Sequence, residues 1–288
     1  MLRIGQISYA NCTPIFWGLT HYFNCSDCTF VPGVPAQLNR LLRAGELDLC
    51  PSSSVEYALA ADRYLLLPDL SISSDGPVRS VLLLSRVPLA ELQGKVIGLT
   101  TESETSVILL RVLLARFHGL DCTSERTSLS FPEVLNSYPA VLLIGDAALR
   151  AGSAAVGLQV YDLGELWHQA TGLPFVFALW IVNRSAFATH GPEVAVLAGR
   201  LRAARDRAQD SYPEIAERSK ELAWLSRQEV VTYWRTISYD LSLRHCEGLR
   251  RFFQYAAEMG LLPAAPQLHF VTPGAANDRG NSLEEGPG

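Results

Sequence analysis

The sequence predicts an α/β protein of two lobes, the first of them discontinuous. Three observations point there. Short apolar runs alternate with stretches of helical spacing, as strands and helices do in an α/β fold. A change of composition over residues 86–94, marked by Pro88 and Gly94, separates two such units. A long apolar run at 175–182 then leads back toward the first unit, so two crossing strands form a hinge, and ligands favour the cleft between lobes joined in this way. On this reading the first lobe takes residues 1–86 and 184–272, the second takes 87–183, and 273–288 form a polar, disordered tail.

The elements follow in order. Leu2–Ile7 is an apolar strand that runs into the polar stretch Ser8-Tyr9-Ala10-Asn11. Residues 29–31 read as a strand and 34–44 as a helix, with Pro35 in its first turn, Val34, Leu38, Leu41 and Leu42 on one face, and Gly45 ending it. Residues 47–50 are a strand leading through Pro51-Ser52-Ser53-Ser54 into a helix that reaches Ala61. Residues 70–80 read as a long polar turn set by Gly76 and Pro77, ahead of the strand Val81–Ser85. In the second lobe, 95–99 is a strand, Thr101 and Glu104 have capping-box spacing, and 105–117 is a helix. Ala140–Ile144 is a strand that delivers Gly145-Asp146 to a helix start. Helical spacing fills 192–209, 213–224, 229–236 and 243–259; Ser226 with Glu229 makes a second capping box, Gly260 closes the last helix, and Trp224 and Trp234 read as core.

Composition excludes several function classes. Lysine and arginine number 24 against 29 acidic residues, a net charge of −5 with no basic stripe, which is not the balance of a nucleic-acid binder. No apolar run approaches the ~20 residues of a membrane-spanning helix, and Gln6, Ser8 and Asn11 interrupt any signal-peptide core, so a cytoplasmic protein is expected. The six cysteines read as reduced thiols. Cys25-Ser-Asp-Cys28 lacks the second pair a zinc site needs and reads as a turn, so no metal is expected. There is no phosphate-binding loop, no dinucleotide fingerprint and no nucleophile elbow, so neither a nucleotide cofactor nor a Ser-His-Asp hydrolase is supported.

Four polar loops each follow a strand and open a helix: Ser8 to Asn11, Ser52 to Ser54, Thr101 to Ser106, and Gly145-Asp146. In open α/β sheets ligands sit beyond the carboxyl ends of strands. Helix N-termini there offer free N–H groups and a positive dipole end, and serine and threonine hydroxyls add donors without charge. An acidic protein can thus hold a small anion without a basic patch, although each serine or threonine can equally serve as a plain N-cap. Ser80, from the long turn, joins this set, and Tyr9 reads either as a wall of the site or as core.

The segments ISYANCTPIFWGL, GVPAQLNRLLRAGELDLCPSSSVEYALAADRYLLLPDLSISSDGPVRSVLLLSRVPL, GKVIGLTTESETSVILLRVLL, LLIGDAAL and YDLGELWHQATGLPFVFALW together resemble the chorismate dehydratase family, which opens the futalosine route to menaquinone. The resemblance implies a fold of the periplasmic-binding-protein type II kind used as a cytoplasmic enzyme. It implies loss of water from the dicarboxylate chorismate, giving 3-[(1-carboxyvinyl)oxy]benzoate without a cofactor. The substrate's own enolpyruvyl carboxylate is then the expected base, positioned by Asn11, with Asp146 as a rival carboxylate base or a mere N-cap. Tyr9, Ser52, Ser53, Ser80, Thr105, Ser106 and Gly145 are expected around the substrate, brought together as the lobes close. A similar family acts later in the same pathway, on cyclic dehypoxanthinyl futalosine. Its pattern would place a catalytic histidine where this chain has Gly145-Asp146. That later lyase and a non-catalytic small-anion binding protein are the alternatives.

Overall fold

The computed structural model describes residues 1–99 and 104–272; the capping residue read at Thr101 and the tail at 273–288 lie outside them. The chain opens with β1 (Leu2–Ile7), a short 3₁₀ turn and α1 (Thr13–Tyr22), followed by β2 (Cys28–Gly33), α2 (Pro35–Arg43), β3 (Leu49–Ser53), α3 (Ser54–Leu59) and β4 (Tyr64–Ser74). Next come β5 (Val81–Ser85), β6 (Val96–Leu99), α4 (Glu104–Val112), β7 (Thr123–Arg126), α5 (Val134–Ser137), β8 (Ala140–Ile144), α6 (Gly145–Ala154), β9 (Gln159–Asp162) and α7 (Leu163–Thr171). β10 (Phe175–Asn183) returns to the first lobe, and α8 (Arg184–Asp210), α9 (Tyr212–Glu217), α10 (Arg227–Thr236) and α11 (Leu243–Glu258) complete the described chain.

The strands form two five-stranded sheets, ordered β2-β1-β3-β10-β4 and β7-β6-β8-β5-β9. Each combines a parallel set with one strand running against its neighbours: β10 lies antiparallel between β3 and β4, and β5 antiparallel between β8 and β9. This membership moves both crossings. The sequence reading kept 81–86 in the first lobe and 175–183 in the second, whereas β5 pairs in the second sheet and β10 in the first. The chain therefore changes lobe at 75–80 and at 172–174. β5 and β10 are both almost wholly buried apolar strands, and nothing local in such a strand says which sheet it will join.

The polar stretch read as a turn over 70–80 is strand as far as Ser74. Its serines are buried and satisfied. Ser71 and Ser73 exchange backbone hydrogen bonds with residues 238–239, and their hydroxyls donate to the carbonyls of Asp240 and Ser238. Residues 269–271 cover the other half of the same strand through Leu66. The β4 edge of the first sheet is thereby covered, which protects that edge from pairing with other chains.

Several helices follow the sequence reading closely. The Ser226–Glu229 capping box is present, and Gly260 takes φ +67 after the last helix. α8 starts earlier than read and kinks at His190, two residues before Pro192, where a second helical segment begins. Trp234 is fully buried, while Trp224 is half-buried under the Arg150 guanidinium, 4.4 Å from its ring centre. One apolar core runs through both lobes, and a smaller cluster around Leu84, Val141 and Leu143 lies on the other face of the second sheet. All six cysteines are unpaired.

Candidate active site

β1, β3, β8 and the crossing at 75–80 end on a common cleft between the lobes. Its empty space, open mouth included, is about 580 Å³, and clefts between lobes are favoured places for small-molecule sites. Ile7, Pro35, Ile72, Val78, Val81, Ile144, Phe177 and Ala178 supply apolar walls, and Tyr9, Asn11, Ser53, Ser80, Ser106 and Gly145 supply the rest. No aspartate, glutamate, histidine, lysine or arginine is among the described residues that line it.

Each polar group has a local reason for its position. Ser53 ends β3 and caps α3, where its hydroxyl accepts from Glu56 N at 3.3 Å. From the side, the Asn39 amide donates to Ser53 Oγ at 3.4 Å. Ser106 lies in the first turn of α4 and is buried. Gly145 begins α6 at φ +58, and its N–H donates to Ser80 O at 2.8 Å. A Cβ at Gly145 would stand 3.0 Å from the Tyr9 ring, so glycine is needed twice there, for the left-handed backbone and for the close approach of the other lobe. Asn11 sits in the turn after β1. Its side-chain Oδ1 is buried and has no hydrogen-bond partner among the described residues.

Three residues expected in the site lie behind it. Ser52 is fully buried on the opposite face of β3 from Ser53, as strand alternation requires. Thr105 bridges the lobes, since its Oγ1 accepts from Val55 N at 3.0 Å and meets Ser54 Oγ at 3.4 Å. It satisfies one of the free N–H groups of α3 from across the cleft. Asp146 turns away from the cavity, and its Oδ1 accepts from Ala10 N at 3.0 Å. Burial pushes the Asp146 carboxyl above the usual carboxylate range; the bond from Ala10 pulls it back, nearby Glu221 raises it further, and Lys220 and Arg150 lower it.

The loop that carries Tyr9 and Asn11 is held from outside by residues that helical spacing does not single out. Lys220 Nζ donates to Ser8 O, Trp234 Nε1 to Ala10 O at 2.8 Å, and Tyr239 Oη to Asn11 O at 2.7 Å. Tyr233 Oη donates to Ser80 Oγ at 2.9 Å. Buried tyrosine and tryptophan usually find a partner for their polar tip. The aromatic run around 233–239 was therefore a usable signal, but its targets are set by the fold.

Comparison with known proteins agrees with this architecture. A Candida albicans protein described as having the generic periplasmic binding protein fold superposes with a TM-score of 0.67 at 13% identity, covering 95% of this chain and 98% of that one. Two curated relatives span nearly the whole length. A chorismate dehydratase of Thermus thermophilus is 34% identical over 92% of this chain and 97% of its own. A 1,4-dihydroxy-6-naphtoate synthase of Streptomyces coelicolor is 28% identical over 90% and 95%. Residues 2–258 match the menaquinone biosynthesis family, and the chain belongs to it.

Proposed function

We propose that this chain is a chorismate dehydratase of menaquinone biosynthesis, acting in the cytoplasm on chorismate without a cofactor. Family membership and the 34% identical dehydratase support the activity. The observation that carries the mechanism is the chemistry of the cleft, which pairs apolar walls and neutral hydroxyls with a buried, unpartnered amide oxygen on Asn11.

Chorismate at neutral pH carries two carboxylates and a single hydroxyl, on C4. That hydroxyl is its only hydrogen-bond donor, and Asn11 Oδ1 is an acceptor that lacks one. The carboxylates suit the hydroxyls of Ser53, Ser80 and Ser106 and the first turns of α4 and α6, where the helix dipoles favour negative charge. The proton leaves C3 for the substrate's enolpyruvyl carboxylate. The C3–H electron pair becomes the C3–C4 double bond, the C4–O bond breaks, and the new carboxyl passes its proton to the departing hydroxyl, so that water leaves. Aromatisation supplies the driving force. The protein's part is to hold one conformer and keep solvent out. The later-pathway lyase fits less well, because Tyr9 fills the space that a side chain at position 145 would need.

Purified protein incubated with chorismate should yield a species lighter by one water, seen by chromatography and mass spectrometry and absent without enzyme. Unchanged chorismate in the presence of folded protein overturns the reading.

Asp146 then serves to hold the Asn11 loop rather than as the base, and Asp146→Asn keeps an acceptor for Ala10 N. Its kcat should stay within about threefold of wild type; a loss of 10²-fold or more, the scale of a missing general base, would make Asp146 the base instead. The same variant has a pH signature. A carboxyl whose folded pKa is raised contributes stability below its unfolded value, and that contribution is lost as pH rises through the folded value. The Asp146→Asn melting temperature should therefore gain on wild type as pH climbs from 3 to 7.

A further inference from the structure

Ser80 lines the cleft, yet its hydroxyl is governed from outside it. Tyr233, on α10, is 1% exposed and does not line the cavity. The hydrogen bond from its Oη to Ser80 Oγ is 2.9 Å long and joins the C-terminal helices to the crossing between the lobes. A serine hydroxyl has one proton to give and two lone pairs to receive with. Tyr233 occupies a lone pair. Among the described residues, the one acceptor offered to the Ser80 proton is Val78 O, at 3.4 Å, the long end of the hydrogen-bond range. The backbone of Ser80 is fixed as well, by Gly145 N on its carbonyl.

We propose that Tyr233 is a positioning residue for the dehydration: by donating to Ser80 Oγ it commits the Ser80 proton to the cleft, where Ser80 donates to an anionic oxygen of the substrate. A chain of two hydroxyls pointing the same way polarises each link, so Ser80 becomes a stronger donor than an isolated serine. Burial raises the Tyr233 phenol well above its ordinary range, so it keeps the proton that it donates at all working pH values. This inference rests on the dehydratase reading and goes beyond it in naming a residue that touches no substrate.

The test is a double-mutant cycle on chorismate turnover. Ser80→Ala and Tyr233→Phe should each lower kcat/KM, by roughly tenfold, the order of one hydrogen bond to a charged group. In the Ser80→Ala background, Tyr233→Phe should cost nothing further, because its only route to the substrate is gone. Losses that multiply would show that Tyr233 supports the fold rather than Ser80, and would overturn the proposal. A second pair keeps the test independent of Tyr233 folding. Ser80→Thr retains the hydroxyl and Ser80→Val has nearly the same shape without it. Threonine should keep most of the activity and valine should lose about as much as alanine; equal activity of the two removes Ser80 as a donor and the proposal with it. Wild-type protein that fails to dehydrate chorismate would sink the dehydratase reading itself, an outcome distinct from a multiplicative cycle in an active enzyme.

Discussion

Asn11→Ala should give a folded protein that still binds chorismate and turns it over about 10²–10³-fold more slowly, the scale seen when one preorganised group is removed from a transition state. The substitution is clean for a structural reason. What holds residue 11 in place is its backbone carbonyl, which receives the Tyr239 hydroxyl at 2.7 Å, and alanine keeps that carbonyl. Only the amide is lost. In the free protein its Oδ1 is a buried acceptor without a partner, so removing it should leave thermal stability unchanged or raise it. A higher melting temperature paired with a lower kcat is the signature of a group kept for the substrate at the expense of the fold. KM should move only a few-fold, since the carboxylates retain their hydroxyl and helix-terminus contacts. Asn11→Asp separates the two halves of the amide, because it keeps an acceptor oxygen but faces a dianion with a negative charge, and it should raise KM as well as lower kcat. Steady-state kinetics beside a melting curve decides the matter. A kcat for Asn11→Ala within threefold of wild type would remove Asn11 from the mechanism.

The loops that build the cleft were legible because their signal is local. An apolar strand that ends in Ser, Asn or Gly and opens a helix announces a strand-end site wherever it falls, and Tyr9, Asn11, Ser53, Ser80, Ser106 and Gly145 all line the cavity. Which of two neighbours points inward was not legible. Ser52 and Ser53 differ only in strand phase, and Thr105 and Ser106 by one step around a helix; register within the fold settled both pairs. The crossings were misplaced for a related reason, since β5 and β10 satisfy the apolar pattern of either sheet. The serines of β4 mimic turn chemistry until residues 238–240 supply their partners, more than 160 positions later in the chain. Trp234 reads as core and is core by burial, and Tyr233 and Tyr239 are buried beside it, but their polar tips reach the Ser80 hydroxyl and the loop at 10–11. That second role depends on tertiary contacts with no counterpart in local sequence.

Gly248→Ala should destabilise the fold, although it adds one methyl group and improves helix propensity. Gly248 lies inside α11, where alanine is intrinsically favoured by about 1 kcal/mol. A Cβ there would stand 2.2 Å from the backbone carbonyl oxygen of Pro174, in the second crossing between the lobes. A backbone oxygen cannot swing aside as a side chain can, so either α11 or the crossing has to shift. Overpacking of this kind costs about 1–3 kcal/mol or more, and a backbone clash belongs at the upper end. After the propensity gain, a net loss of about 2 kcal/mol remains, which for a chain of this size lowers the melting temperature by roughly 4–8 °C. Gly199→Ala is the matched control. It also lies within a helix, α8, with nothing within 4 Å of the added Cβ, so it should raise the melting temperature by a few degrees. The two substitutions share their chemistry and should differ in sign. The damage at 248 should also reach the active site, because β10 starts directly after Pro174 and supplies Phe177 and Ala178 to the cleft wall, and Arg244 at the start of α11 donates to Gly172 O at 2.6 Å. A displaced α11 therefore changes how the lobes meet, and KM for chorismate should rise in Gly248→Ala while Gly199→Ala leaves it unchanged. If Gly248→Ala melted at or above the wild-type temperature, α11 would not be packed against the second crossing, and the helix would have no part in holding the cleft closed.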